Sequence, residues 1–304
     1  MRVLLAIDGS PSSHVAASWV RSMPWPAATR IRIVAVVEPR TVALAGMSAV
    51  TATQLERDEV VPALELALRT AAEEIAAPDR IVDATLRRGR PASSVLEEAT
   101  DFRADLVVVG SRGLGPIRSM VLGSVSAEIV DQAPCPVVVA REPGVRSILL
   151  AVDGSPTAQR AVEYLAGGAY LHGRDLEVLS VGHGPAPSSV APSASDREAR
   201  RRVEDRAAAA ATRLQADGLD ARWSIAFGDP AHEILAAAHD LGCDLIVLGS
   251  RGLTGLDRVL LGSVARNVLL HADASVMIVR EPIRERAVRG HAVPSPLSAP
   301  LTMA

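Results

Sequence analysis

The sequence predicts an α/β fold made of two tandem doubly wound domains, each with a five-stranded, mainly parallel sheet flanked by helices. The chain repeats itself once, and within each copy short apolar runs alternate with longer stretches of helical periodicity. Aromatic residues make up only 2% of the 304 residues, so the core must consist of Ala, Val, Leu and Ile. Such a core suits helices packed on both faces of a parallel sheet.

The repeat is visible as matching segments at a nearly constant spacing. The segment Leu4–Pro11 returns as Leu149–Pro156, and Gly110–Glu142 returns 139 positions later as Gly249–Glu281. In the longer pair 13 of 33 positions are identical, including the runs Gly-Ser-Arg-Gly-Leu and Leu-Gly-Ser-Val. The chain therefore contains two copies of one domain.

Each copy is predicted to alternate strands with helices. In the first copy we expect strands over 2–7, 31–37, 81–86, 106–109 and 137–140. Between them we expect four helices. The first starts at Ser10–Pro11, the second ends near Ala77, and the third and fourth cover 91–102 and 124–132. The second copy is expected to repeat this order, with right-handed crossovers throughout.

The copies divide the chain into a first domain over 1–143 and a second domain over 144–282. In the second copy, residues 182–195 are rich in Pro, Ser and Ala and are expected to form a surface loop before a long helix over 196–216. Residues 283–304 carry Pro, Ser and Arg without periodicity, which predicts a disordered tail.

Composition and charge exclude several classes of function. The formal net charge is −3 and all 32 basic side chains are arginine, so we expect neither nucleic acid nor a membrane as a partner. Without lysine, neither Schiff-base chemistry nor the lysine contact of a P-loop is available. No signal peptide and no apolar stretch of ~18 residues is present, so we expect a cytoplasmic protein. Cys135 and Cys243 adjoin apolar runs and are expected to be buried thiols.

Three segments of each copy fall where a predicted strand ends. In the first copy they are Asp8 after strand one, residues 110–113 after strand four, and residues 123–125 at the start of the last helix. Ligands of doubly wound folds bind beyond the carboxyl ends of the strands. The second copy repeats the three segments, with the same nine-residue interval between the second and third glycines.

The spacing of these segments predicts an anion site. Glycine at a strand end lets backbone N–H groups approach a ligand without an intervening Cβ. A helix that begins at Gly-Ser presents unpaired N–H groups, the positive end of its dipole and a serine hydroxyl. The intervening segments, 114–122 and 253–261, are expected to close over a polyphosphate, and Asp8 to accept a hydrogen bond from adenosine. Arg112 and Arg251 either reach phosphate or remain solvated loop side chains.

The complete pattern resembles the ATP-binding motif of the universal stress protein family: Gly-x-x-Gly, nine residues, then Gly-Ser. The resemblance covers nearly the whole of both copies, and it includes the opening Asp-Gly-Ser and the run Ala104–Gly113. It implies the fold that this family shares with adenine-nucleotide α-hydrolases. The ligand that it implies is ATP, with Mg²⁺ bridging the phosphates.

The ligand contacts of that family carry over residue by residue. By resemblance, the adenosine is met by Asp8 and Asp153, and the adenine packs against Val36 and Val181. The ribose and phosphates are held in the first copy by Gly110, Gly113, Gly123, Ser124 and Val125, and in the second copy by Gly249, Gly252, Gly262, Ser263 and Val264. Because neither copy lacks a motif residue, the resemblance implies two nucleotide sites per chain.

The resemblance further implies a stress-response protein whose ATP occupancy controls its conformation or its binding to an unknown regulatory protein. The cover segments would then be the switch. The implied assembly is a homodimer. No histidine or lysine lies within either motif, so we do not expect an enzyme. A slow ATPase or adenylyl-transferring enzyme of the same fold remains the alternative. An assembly module with vestigial sites is disfavoured because both copies retain their glycines.

In this family the last strands of two domains pair with each other. Cys135-Pro136, just before the last strand of the first copy, is replaced by Ala274-Ser275 in the second. This difference predicts an asymmetric seam between the two domains.

Overall fold

A computed structural model describes residues 1–38, 54, 56–113, 122–184, 193–252 and 261–280. The predicted tail and nearly all of the two predicted cover segments lie outside this range. The first copy contains, in chain order, β1 (Arg2–Ile7), α1 (Pro11–Ser22), β2 (Thr29–Val37), α2 (Val61–Ile75), β3 (Arg80–Arg88), α3 (Pro91–Asp101), β4 (Leu106–Gly110), α4 (Ser124–Gln132) and β5 (Val137–Ala140). A π-helical turn, Glu56–Val60, leads into α2.

The second copy repeats this order. Its elements are β6 (Ser147–Val152), α5 (Pro156–Gly167), β7 (Asp175–His183), α6 (Ala194–Ala216), β8 (Ala221–Gly228), α7 (Pro230–Asp240), β9 (Leu245–Gly249), α8 (Ser263–His271) and β10 (Ser275–Val279). The predicted serine caps are confirmed, because the Ser10 and Ser155 hydroxyls accept hydrogen bonds from the first turns of α1 and α5.

The predicted loop over 182–195 is wrong at both ends. Strand β7 continues to His183, where it still pairs with the end of β8. Helix α6 begins at Ala194 because Ser193 and Asp196 form a capping box: the Ser193 hydroxyl accepts from the backbone of Asp196 at 3.1 Å, and the Asp196 carboxylate accepts from the backbone of Ser193 at 3.0 Å. The helix therefore starts two residues earlier than its periodicity indicates.

The ten strands of the described residues form one sheet in the order β3-β2-β1-β4-β5-β10-β9-β6-β7-β8. Every neighbouring pair is parallel except β5 and β10, which pair antiparallel at the centre, with Val138 opposite Met277. Each copy thus contributes a five-stranded parallel sheet, and a pseudo-two-fold axis relates the copies. The predicted fold class is confirmed.

The core lies in two layers, one on each face of the sheet. Helices α1, α2, α5 and α6 cover one face, and α3, α4, α7 and α8 cover the other. Both cysteines lie in the second layer as free, buried thiols, as predicted. Burial raises the pKa of the Cys135 thiol to about 12, which makes it a poor nucleophile at neutral pH.

Each copy sends one arginine across the seam between β5 and β10. The guanidinium of Arg141, directly after β5, donates to the backbone carbonyl of Leu269 in α8 at 2.6 Å. Arg280, directly after β10, donates to the carbonyl of Val130 in α4 at 2.5 Å. Leu269 and Val130 are equivalent positions of the repeat, so this exchange obeys the pseudo-two-fold axis.

The seam is asymmetric elsewhere, as the sequence predicts. The Ser275 hydroxyl accepts hydrogen bonds from the backbone N–H groups of Arg141 and Glu142, both at 3.1 Å. The equivalent residue of the first copy is Pro136, which has no hydroxyl. A serine hydroxyl therefore holds the chain that leaves β5, and Pro136 cannot offer the same contact.

A buried carboxylate joins α3 to β2 and β3 in the first copy. The Glu98 side chain is only 2% exposed, and it accepts from Arg32 Nη1 at 3.0 Å and from Arg87 Nε at 2.6 Å. Arg32 also pairs with Asp83 and stacks 4.5 Å from the centre of the Phe102 ring.

Replacing Glu98 by alanine is expected to lower the free energy of unfolding by about 2 kcal/mol, because two arginines lose their buried partner. The neighbouring Glu97 is exposed on the same helix, so Glu97→Ala is the matched control and should change stability little. Urea denaturation followed by circular dichroism measures both variants. Equal midpoints for the two would show that the buried carboxylate does not stabilise the fold.

Candidate functional site

The predicted site begins at the turn between β1 and α1. The Asp8 carboxylate oxygen Oδ1 accepts a hydrogen bond from the backbone N–H of Ser10 at 3.0 Å, which fixes the side chain in this turn. Gly9 has a φ of +78°, a backbone conformation that residues with a Cβ rarely adopt. In the second copy Asp153 accepts from the backbone of Ser155 at 2.9 Å. The two turns are built alike.

The second glycine of each motif lies against this aspartate. A Cβ added to Gly113 would lie 2.7 Å from Asp8 Oδ2, and one added to Gly252 would lie 2.9 Å from Asp153 Oδ2. Either distance is shorter than a van der Waals contact, so a larger residue would displace the carboxylate. The structure therefore brings the first two sequence segments of each site into contact.

The first glycine of each motif packs against the start of a helix. A Cβ on Gly110 would meet the backbone carbonyl carbon and oxygen of Ser12 in α1 at 2.7 Å. A Cβ on Gly249 would meet the backbone of Thr157 and Ala158 in α5 at the same distance. Because these neighbours are backbone atoms, glycine is required for the strand end to approach the helix.

The third segment closes the glycine turn. The backbone N–H of Gly123 donates to the carbonyl of Ser111 at 2.8 Å, and that of Gly262 donates to Ser250 at 2.8 Å. Gly123 and Gly262 are the N-caps of α4 and α8, and a glycine has no side chain to accept from the first turn. The first-turn N–H groups thus remain available to an anion.

The residues after these caps differ in exposure. Ser124 and Ser263 are both exposed at the first helical position. Val125 is exposed in the first copy, whereas Val264 is half-buried in the second. All four lie on the first turn that would face a phosphate.

The predicted adenine contacts lie at the ends of neighbouring strands. The register of β1 with β2 ends at the pair Ile7 and Ala35, so Val36 comes next on β2 beside Asp8. In the second copy the register of β6 with β7 ends at Val152 and Ser180, which places Val181 beside Asp153. Val36 and Val181 are both half-buried, so each can pack against a ring while remaining accessible.

The two predicted arginines have different surroundings. The side chain of Arg112 is exposed, and it lines a cavity of about 340 Å³ on the side of α1, together with Arg141 and residues 271–273 of the second copy. Burial, and then the charge of Arg112, lowers the pKa of Arg141 to about 10. Ser111 and Arg112 of the glycine turn line this cavity and Asp8 does not, so the cavity adjoins the motif cluster on the side away from Asp8. Arg251 is half-buried.

Sequence analysis missed the hydroxyls that support the glycine turns. The Ser10 hydroxyl donates to the carbonyl of Arg112 at 3.3 Å, and the Ser155 hydroxyl donates to that of Arg251 at 3.1 Å. The sequence offered one signal for them, because Ser10 and Ser155 occupy the same position in the two copies. Ser126 additionally donates to the carbonyl of Gly110 at 2.7 Å in the first copy.

The described residues form neither a metal-binding cluster nor a membrane-spanning helix. Among them, no three His, Cys, Asp or Glu side chains come together in a way that could hold a metal ion. None of their helices combines the length and the apolar composition that crossing a membrane requires.

Comparison with known proteins identifies relatives for both copies. The profile of the universal stress protein family matches residues 1–141 and 144–280. A universal stress protein of Thermus aquaticus is 37% identical over 141 residues, covering 46% of this chain and 97% of that protein. One of Mycobacterium tuberculosis is 29% identical over 295 residues, covering 91% of this chain and 96% of that protein. A crystal structure of a universal stress protein from Archaeoglobus fulgidus has a TM-score of 0.66 at 22% identity, covers 92% of this chain and 98% of its own, and so shares the fold.

Replacing Gly110 by alanine is expected to lower the free energy of unfolding by about 2 kcal/mol, because the new Cβ would meet backbone atoms that cannot move aside. Gly249→Ala should have a similar effect. Gly167→Ala is the matched control, because a Cβ at the end of α5 would meet nothing within 4 Å. Urea denaturation compares the three variants, and equal stabilities would refute the close approach of strand and helix.

Proposed function

Because the chain belongs to the universal stress protein family, we propose that it is a stress-response regulatory protein that binds ATP at two sites per chain. Nucleotide occupancy controls its conformation or its binding to a regulatory partner protein. The observation that carries this proposal is the close packing of Gly113 on Asp8 and of Gly252 on Asp153, where an added Cβ would lie 2.7 and 2.9 Å from the carboxylate.

That arrangement supports nucleotide binding because three kinds of group lie together at the carboxyl ends of the strands. The Asp8 carboxylate, whose Oδ2 faces Gly113, is the proposed acceptor for a ribose hydroxyl. Val36 offers an apolar surface beside it for the adenine. The first turn of α4 offers backbone N–H groups, the positive helix end and the exposed hydroxyl of Ser124 for phosphate.

We propose the same roles in the second copy. Asp153 and Val181 hold the adenosine, and Gly249, Gly252, Gly262, Ser263 and Val264 hold the ribose and phosphates. Gly110, Gly113, Gly123 and Val125 complete the first site. Arg112 and Arg251 are proposed phosphate ligands, because each lies in the turn between the two motif glycines of its copy.

The donor set fits a Mg²⁺ ion that arrives with ATP. Mg²⁺ keeps several waters and commonly binds substrate phosphates with only one or two carboxylates. The described residues bring no three metal-binding side chains together. We therefore propose that the phosphates of ATP and water supply most of the ligands of the Mg²⁺ ion. The ion would neutralise part of the phosphate charge at the helix N-terminus.

We propose a binding function rather than an enzymatic one. Hydrolysis requires a base close to the terminal phosphate. Among the described residues, Asp8 and Asp153 are the carboxylates that contact these glycine turns, and each is held against the second glycine, at the proposed adenosine end of the site. A slow ATPase remains the alternative, and the nucleotide experiment below distinguishes it.

The proposal includes domain bounds of 1–143 and 144–282, a cytoplasmic location and a homodimer. Within one chain, β5 and β10 already pair with each other. Two chains must therefore associate through a different surface. The edges of the sheet are β3 and β8, and sedimentation velocity measures whether a dimer forms.

The wild-type protein is expected to bind two ATP per chain, and Asp8→Ala and Asp153→Ala are each expected to bind one. Each substitution removes the acceptor for adenosine in one copy only. Asp79→Ala is the matched control, because Asp79 is exposed beside the amino end of β3, at the opposite end of the strands from the proposed sites. Isothermal titration calorimetry with ATP and magnesium measures the stoichiometry.

Nucleotide released by denaturing the purified protein identifies the natural ligand. ATP that persists during a time course supports the regulatory proposal. Conversion of added ATP to ADP or AMP supports the slow enzyme instead. Failure of the wild-type protein to bind any adenine nucleotide at millimolar concentration would refute both.

A further inference from the structure

We propose that Asp131, at the C-terminal end of α4 in the first copy, sets the phosphate preference of the nucleotide site in the second copy. This inference rests on the proposed nucleotide function. It assigns to Asp131 the role of a built-in anion that competes with the terminal phosphates of a bound nucleotide. The second site then binds ATP less tightly, relative to AMP, than the first site does, although both sites bind ATP.

Asp131 reaches across the seam to the start of α8. Its Oδ1 accepts a hydrogen bond from the backbone N–H of Leu261 at 3.4 Å, and Leu261 directly precedes the N-cap Gly262. Both carboxylate oxygens also accept from Arg266 Nη2, at 3.1 and 3.2 Å. Arg266 lies on the first turn of α8, the same turn that carries the proposed phosphate ligand Ser263.

These donors are of the kind that a phosphate uses. Backbone N–H groups at a helix N-terminus and an arginine side chain bind anions of either sort, carboxylate or phosphate. The side chain of Asp131 is only 20% exposed and that of Arg266 is 43% exposed, so their interaction is screened less than that of a fully exposed pair. A nucleotide whose phosphates extend past Ser263 meets the charge of Asp131 and an arginine that Asp131 already holds.

The first site has no such carboxylate and arginine at the equivalent positions. The position equivalent to Asp131 is Leu270 in α8, and the position equivalent to Arg266 is Ala127 in α4. The backbone relation across the seam is nevertheless the same, as the exchange of Arg141 and Arg280 shows. The two sites therefore differ in these side chains, although the arginine contacts between the last helices are equivalent.

The test uses single-site proteins, so that each affinity belongs to one site. Asp8→Ala leaves the second site and Asp153→Ala leaves the first. In the Asp8→Ala protein, adding Asp131→Asn should raise the affinity for ATP by about fivefold, because the substitution removes one negative charge near the phosphates and releases Arg266. The affinity for AMP should change by less than about twofold, since its one phosphate lies nearer the ribose.

Two matched variants complete the experiment. Asp131→Asn in the Asp153→Ala protein should leave ATP binding at the first site unchanged. Arg266→Ala in the Asp8→Ala protein should lower the ATP affinity about fivefold, because Asp131 then stays near the phosphates without its cation. Calorimetric titrations with ATP and AMP at low ionic strength supply all the affinities, and higher salt should reduce the differences.

Unchanged AMP binding also reports that a variant remains folded. If the second site shows the same ratio of ATP to AMP affinity as the first, or if Asp131→Asn leaves that ratio unchanged, the inference is overturned while the nucleotide sites stand. If the wild-type protein binds no adenine nucleotide, the proposed function fails first and this inference fails with it.

Discussion

The antiparallel pairing of β5 with β10 is the contact on which the rest of this structure depends, because it joins the two parallel sheets edge to edge into one. A five-stranded sheet alone would expose the edge of its last strand, with unpaired backbone donors and acceptors. The pairing satisfies those groups within the chain. It also brings the last helix of each copy, which begins at a proposed phosphate cradle, against the other copy.

The two arginines that follow these strands turn the pairing into reciprocal contact. Arg141 and Arg280 each donate to a backbone carbonyl in the last helix of the opposite copy, and burial lowers the pKa of both. Since a backbone carbonyl is present whatever the side chain, this contact survives divergence of the copies. Side chains beside it are free to differ, and Asp131 and Ser275 are two that do.

The proposed sites depend on the absence of a Cβ at their glycines. Gly110 and Gly113 each lie where a Cβ would collide, the first with the backbone of α1 and the second with Asp8. These glycines are therefore required by packing and not by backbone conformation, because neither has a positive φ. The same absence leaves the first turns of α4 and α8 without a side-chain cap at Gly123 and Gly262. A single residue type thus builds the turn and keeps its anion donors available.

The sequence by itself determined the repeat, the order of elements, the doubly wound class and the three segments of each proposed site, because periodicity and glycine spacing are local properties of the chain. It placed the start of α6 and the end of β7 wrongly, since the Ser193 capping box and the pairing with β8 override composition. Only the tertiary structure decided that Ser10 supports the glycine turn and that Asp131 reaches Leu261. Those contacts join residues more than a hundred positions apart, and no local pattern encodes which distant side chains meet.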